Sequence, residues 1–144
     1  MRIIAYGKPV TQGSKIRTRW SMRDSNGDTL LPWRDNVRAA AVNAEDSFGE
    51  APVRVNITFT FGRPKGHFGT GRNAGTLNAA ALPYPSSHAI GDIDKLVRAC
   101  LDALTDAGVW NDDSQVVELL ARKVFVGEFY ALEKPGAIIT VDVP

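Results

Sequence analysis

Val53-Arg54-Val55-Asn56-Ile57-Thr58-Phe59-Thr60-Phe61 is the stretch on which the fold turns. Apolar and polar side chains alternate along its whole length. Successive strand residues point to opposite faces, so this is a strand with one face buried and the other open. A second pattern, of different period, must cover the buried face. It lies between Ile93 and Ala107, where Leu96, Ala99, Cys100, Ala103, Leu104 and Ala107 recur at three- and four-residue intervals. That spacing forms one continuous apolar stripe on a helix. Lys95, Arg98, Asp102, Thr105 and Asp106 take the remaining face, and Gly108 suits the left-handed residue that ends a helix.

Working outward, Arg2–Tyr6 reads as a short strand closed by Gly7-Lys8-Pro9, and Asn26-Gly27 has the chemistry of a hairpin turn. Trp33–Phe48 is helical by the spacing of Val37, Ala40, Ala41 and Ala44. Val116–Phe125 and Ala137–Val143 are two further strands, with Asn111-Asp112-Asp113-Ser114 as the turn before them. The order β-α-β-loop-α-β-β specifies an α/β (α+β) fold, a small mixed sheet packed by two main helices. Residues 1–144 read as one domain. The stretch from about 62 to 91, rich in Gly, Pro, Asn, Ser and Ala, reads as a flexible insertion. Its Gly69–Gly75 segment lacks the glycine spacing of a dinucleotide fingerprint and any Gly-Lys-Ser/Thr phosphate loop.

Composition narrows the function classes. No apolar run approaches the roughly 20 residues that cross a bilayer, and the N-terminus is too soon interrupted for a signal peptide. One cysteine, Cys100, cannot form an intramolecular disulfide, which fits a reducing cytoplasm. One cysteine and two histidines do not make a conventional zinc site, which leaves oxygen donors for any metal. The net charge of +1 conceals an asymmetry. Residues 1–75 carry 12 Lys/Arg against 6 Asp/Glu (+6), and residues 76–144 carry 5 against 10 (−5). A basic surface beside an acidic cluster is what phosphodiester cleavage uses: the bases attract phosphate and the carboxylates hold a cation.

The acids gather around the second helix. Asp92 and Asp94 sit at its entry, Arg98 lies one turn beyond Asp94, and Asp112 and Asp113 come from the turn after it. If that turn packs back towards the helix start, four carboxylates meet. They would repel one another, and a hard dication such as magnesium relieves the repulsion. The residues alone leave a plainer reading open: Asp is a favoured N-cap, the second group suits a turn, and Asp94–Arg98 suits an exposed ion pair.

The stretch Gly91-Asp92-Ile93-Asp94-Lys95-Leu96 through Asp102-Ala103-Leu104, Gly108 and Asp112-Asp113-Ser114-Gln115-Val116 resembles the signature of the RusA-type Holliday junction resolvases. That signature is Asp-x-Asp-Asn-Leu opening a helix, then Asp-Ala-Leu, a glycine, and Asp-Asp-x-Gln-Val. Gly7–Lys15 is similar to the family's N-terminal loop. The resemblance implies a homodimeric, magnesium-dependent endonuclease (manganese as a substitute) of a kind common in phages and prophages. It would nick four-way DNA junctions symmetrically during recombination and repair. Carried over by position, Asp92, Asp94 and Asp113 are the essential metal-binding carboxylates, with Asp112 in support. Thr11, Gln12, Ser14, Lys15, Arg17, Arg19 and Lys95 would touch DNA. Lys95 stands where the family has Asn, and Arg98 where it has a catalytic Lys. Arginine keeps the charge but not a transferable proton, which implies an electrostatic role for Arg98. A nuclease for other branched DNA and a non-catalytic junction-binding protein are the competing readings. The second gains nothing from aspartates that repel phosphate.

Overall fold

The computed structural model describes residues 1–13, 15–17, 22–24 and 27–144. Its centre is the alternating strand, β4 (Val53–Phe61), with Val53, Val55, Ile57, Phe59 and Phe61 buried and Arg54, Asn56 and Thr58 half-exposed. On one side β4 pairs antiparallel with β6 (Gly136–Asp142), which pairs in turn with β1 (Arg2–Tyr6). On the other it pairs parallel with β5 (Val116–Phe125), giving the order β1-β6-β4-β5. A parallel neighbour requires a crossover, and the stretch between β4 and β5 contains it as helix α2 (Ile93–Asp106). Cross-strand partners share a face, so Ile3, Ile139, Ile57 and Ala121 form one row beneath the helices.

Helix α1 (Gly27–Asn43) packs on β1 and on α2, whose buried stripe is Leu96, Val97, Ala99, Cys100, Ala103 and Leu104. With Trp33, Val37 and Trp110 they complete a single core. Close backbone approach fixes one glycine here: a Cβ at Gly136 would collide with the Ala5 carbonyl oxygen. Among the described residues no helix is long and apolar enough to cross a membrane.

Three sequence expectations are corrected. Helix α1 begins six residues before Trp33 and ends five before Phe48, because its buried stripe is Leu30, Trp33, Val37 and Ala41 and runs across Pro32. Gly27 opens that helix instead of forming a hairpin turn. Strands β2 (Lys15–Arg17) and β3 (Met22–Asp24) pair antiparallel, with Arg17 opposite Met22. This two-stranded unit is an addition to the expected element order. Of the expected DNA-contacting residues, Ser14 and Arg19 lie outside the described residues, as does Asn26; for Lys15 and Arg17 only the strand is described.

Residues 62–91 contain no long element, only two single 3₁₀ turns and an isolated bridge between Phe68 and Leu77. One buried side chain ties the segment down. The Arg63 guanidinium lies 4.3 Å over the Phe125 ring, donates to the Leu82 carbonyl (2.8 Å) and pairs with Glu128 (3.0 Å).

Candidate functional site

The entry to α2 is shaped by Gly91. Its φ of +90° demands glycine, and so does the Thr11 methyl, which occupies the space a Cβ would need. Asp92 follows as the N-cap residue, extended at φ −77°, ψ 138°, and its carbonyl accepts from the Leu96 amide (3.1 Å) to close the first turn. A capping aspartate ordinarily turns its carboxylate onto the free amides of that turn. Asp92 does not: its side chain makes no cap hydrogen bond and stays exposed, with the Lys95 ammonium 3.5 Å away. Asp94, in the first helical turn, is also exposed. Both line an open cleft of about 610 Å³ with His88 and Lys123, and the Lys123 ammonium donates to the Gly91 carbonyl at 3.0 Å.

The other acids of the helix are engaged elsewhere. Asp102 accepts from the Gln12 amide at 2.6 Å, and Asp106 pairs with Arg34 at 2.6 Å. Gln12 is buried, and its backbone amide donates to the Lys95 carbonyl (3.0 Å). Its place is to seat the N-terminal loop on α2. Thr11 stands beside it against Gly91. Lys95 is partly exposed at the cleft, and Arg98 is exposed one turn on. Among the described residues Asp94 and Arg98 form no ion pair; the helix-start pair is Lys95–Asp92.

Asp112 and Asp113 lie at the opposite end of α2. Asp113 Oδ1 accepts from Thr105 Oγ1 (2.5 Å) and from the buried indole of Trp110 (3.1 Å). Thr105 is in the last turn of a helix whose first turn carries Asp94, so roughly 16 Å of helix separates the two at ~1.5 Å per residue. The expected meeting of all four aspartates therefore does not occur within one protomer. Among the described residues, no three His, Cys, Asp or Glu side chains gather as a metal site. The physical reason is direct: the turn follows the helix immediately, and β5 carries the chain back towards the helix start only after Asp113 has passed. Asp112 caps the short turn 113–115, accepting from the Ser114 amide at 2.8 Å, and this bonding with Ser114 holds its carboxyl below the ordinary value.

Two residues of this region were given no role by the sequence reading. Gln115 holds the aspartate turn with four hydrogen bonds. Its Oε1 accepts from the Asn111 and Asp112 amides (2.8 and 3.0 Å), and its Nε2 donates to the Gly49 and Ala51 carbonyls (2.8 Å each). The signal was present, since a polar residue with both donor and acceptor stands three after an Asp N-cap. Lys123 is the other. It pairs with Phe59 in the sheet and so points to the helix side, an odd place for a lysine unless the helix start needs its charge.

The model of the family described as Endodeoxyribonuclease RusA matches residues 7–142, nearly the whole chain. No curated protein matches it.

Proposed function

Because the chain belongs to the RusA endodeoxyribonuclease family, we propose that it is a magnesium-dependent nuclease resolving four-way DNA junctions by paired symmetric nicks, with Asp92 and Asp94 at its reactive centre. The observation that carries the site assignment is the contrast within α2. Asp102 and Asp106 are spent on Gln12 and Arg34, whereas Asp92 holds the N-cap position without capping and opens with Asp94 onto the Lys123 cleft. The donor set fits the ion: magnesium is hard, keeps several waters and needs only a few carboxylates. Bound there, it would supply a water acidified for attack on phosphorus and offset charge on the phosphoryl oxygens. The protein's own part is electrostatic and positional. Gly91 and Thr11 fix the backbone from which Asp92 projects, and the Lys123 ammonium offers a fixed positive charge beside the carboxylates. Arg98 adds a permanent charge from the next turn. The basic N-terminal third, from Lys15 to Arg19, would hold the DNA arms. The setting we propose is the cytoplasm, of a bacterial host or of a cell carrying a phage.

We further propose that the working form is a homodimer in which Asp113 acts across the interface. Strand β5 is the outer strand of the sheet, and its stretch Val117–Leu120 leaves Val117, Leu119 and Leu120 exposed. An unpaired apolar edge is a template for a second strand. Antiparallel pairing of two such edges about a two-fold axis, with Val117 opposite Leu119, would bring Asp113 of the second copy beside Lys123 of β5. That is the residue that touches Gly91, next to Asp92. The arrangement explains why the aspartates stand at opposite ends of one helix.

The test is cleavage of synthetic four-way junctions with and without magnesium, followed by mixing two inactive variants. The native protein should cut only with the metal, giving two symmetric nicks. Asp94→Asn and Asp113→Asn should each be inactive alone and regain nicking when mixed and allowed to exchange subunits. Cleavage that survives chelation refutes the metal reading, and failure of the mixture to recover refutes the shared site.

A further inference from the structure

Beyond the aspartate cleft, around the C-terminal end of β5, lies a hollow of about 410 Å³ walled by Tyr84, Arg122, Lys123, Phe129 and Tyr130. Its aromatic side chains are not core. Phe129 is 79 %, Tyr84 65 % and Tyr130 60 % exposed. Rings left in water at such exposure, converging on one hollow, form a surface of the kind that marks a binding site. The backbone supports the same view, because Tyr130 is held at φ +68°, a conformation costly for a non-glycine residue. That strained residue carries a ring stacked against the Arg122 guanidinium (4.8 Å) and belongs to a pair with Phe129, whose ring centroid is 4.2 Å from its own. Glu128 also borders the hollow, but its charge is paired with Arg63 at 3.0 Å. The unpaired character of the hollow is therefore aromatic and cationic.

Lys123 lines both this hollow and the cleft that holds Asp92 and Asp94, so the two are neighbours. A strand of DNA with a phosphate at the carboxylates and lying along Lys123 would run on towards the rings. We propose that Tyr84, Phe129 and Tyr130, with Arg122, form a stacking pocket for an unpaired base at the branch point, next to the phosphate that is cut. Aromatic faces and a guanidinium plane hold a base without regard to its identity, and a duplex offers no free base face. The pocket thus selects open, branched DNA over intact duplex. This rests on the nuclease reading above and assigns the structural selectivity to residues outside the aspartate motif.

The experiment uses the full-length double variant Tyr84→Ala/Phe129→Ala, both positions being exposed. Binding is measured without magnesium to a four-way junction carrying 2-aminopurine at the branch point, and to a duplex of equal length. The pocket predicts a loss of junction affinity of roughly 5- to 100-fold with duplex affinity unchanged. The salt dependence should keep its slope, since every phosphate-binding base is still in place. The branch-point 2-aminopurine signal induced by the native protein should disappear, and Phe129→Trp should retain it. Unchanged junction affinity overturns the proposal, as does an equal loss on junction and duplex. A fall in oligomer mass without the selective loss means that a second copy occupies the hollow, and also overturns it. Because this readout needs no cleavage, a native protein that binds junctions selectively yet cuts nothing would sink the nuclease reading while leaving the pocket standing.

Discussion

Replacing Gln115 by Ala removes, in one step, every side-chain bond by which that residue ties the Asp112–Asp113 turn to the body of the protein. Four hydrogen bonds go: two from the Asn111 and Asp112 amides and two to the Gly49 and Ala51 carbonyls. A net contribution of about 0.5–1.5 kcal/mol per bond gives roughly 2–6 kcal/mol. The side chain is only half-buried, so water replaces part of this bonding, and a cost of about 2–4 kcal/mol is expected. At roughly 3 °C per kcal/mol for a domain of this size, the thermal midpoint should fall by about 6–12 °C. Gln115→Glu separates the halves of the interaction. It keeps an acceptor for the two amides and loses the donor to the two carbonyls, so it should fall between native and Ala at neutral pH. Nicking, measured well below the variant's melting temperature, should drop with the anchor because Asp113 rides on the same turn. A midpoint within ~1 °C of native for Gln115→Ala would refute the reasoning.

Burial pushes the Cys100 thiol up to about 12, so the folded protein should resist alkylation at pH 8 and react only on unfolding; fast stoichiometric labelling under native conditions would contradict the packing. Asp142 is held below its ordinary value by the Arg54 side chain, and Glu133 by its own backbone amide and by Tyr6. Groups depressed in the folded state contribute stability above their unfolded pKa, about 4, and lose it as pH falls through the folded value. Thermal midpoints should therefore be level above pH ~5 and decline below ~4, less steeply in Asp142→Asn. Changing Lys15, Arg17 and Arg19 together to Ala should weaken binding to duplex and junction alike. The log–log salt plot should flatten by about 0.9 for each phosphate no longer neutralised, and an unchanged slope would place these bases in solvent.

What the sequence made legible follows from amphipathic period. Strand β4 and helix α2 emerge with their bounds nearly intact, because each buries one face and exposes the other along its full length. The start of α1 was hidden because Pro32 and the polar residues before it read as loop, while Leu30 and Trp33 bury a stripe that straddles the proline. The β2–β3 pairing is three residues on each side, too short for a period to show. Asp92 and Asp94 were legible as a pair; their separation from Asp113 was not read, although the helix between them carries that information in its length. Lys123 belongs to the site only through parallel pairing with β4, which no local pattern specifies.

The central claim is that Asp92 and Asp94 serve chemistry and not the fold, and Asp94→Asn tests it most directly. Three quantities are read on one preparation: nicking of a four-way junction with magnesium, affinity for that junction without it, and the thermal midpoint. Asp94 is exposed at the helix start and, among the described residues, carries no bond that the core depends on. Nicking should be abolished, binding should be equal or tighter because a charge repelling phosphate is gone, and the midpoint should stay within ~3 °C. Persistent nicking, or loss of nicking and binding together with a collapse of the midpoint, would contradict the claim.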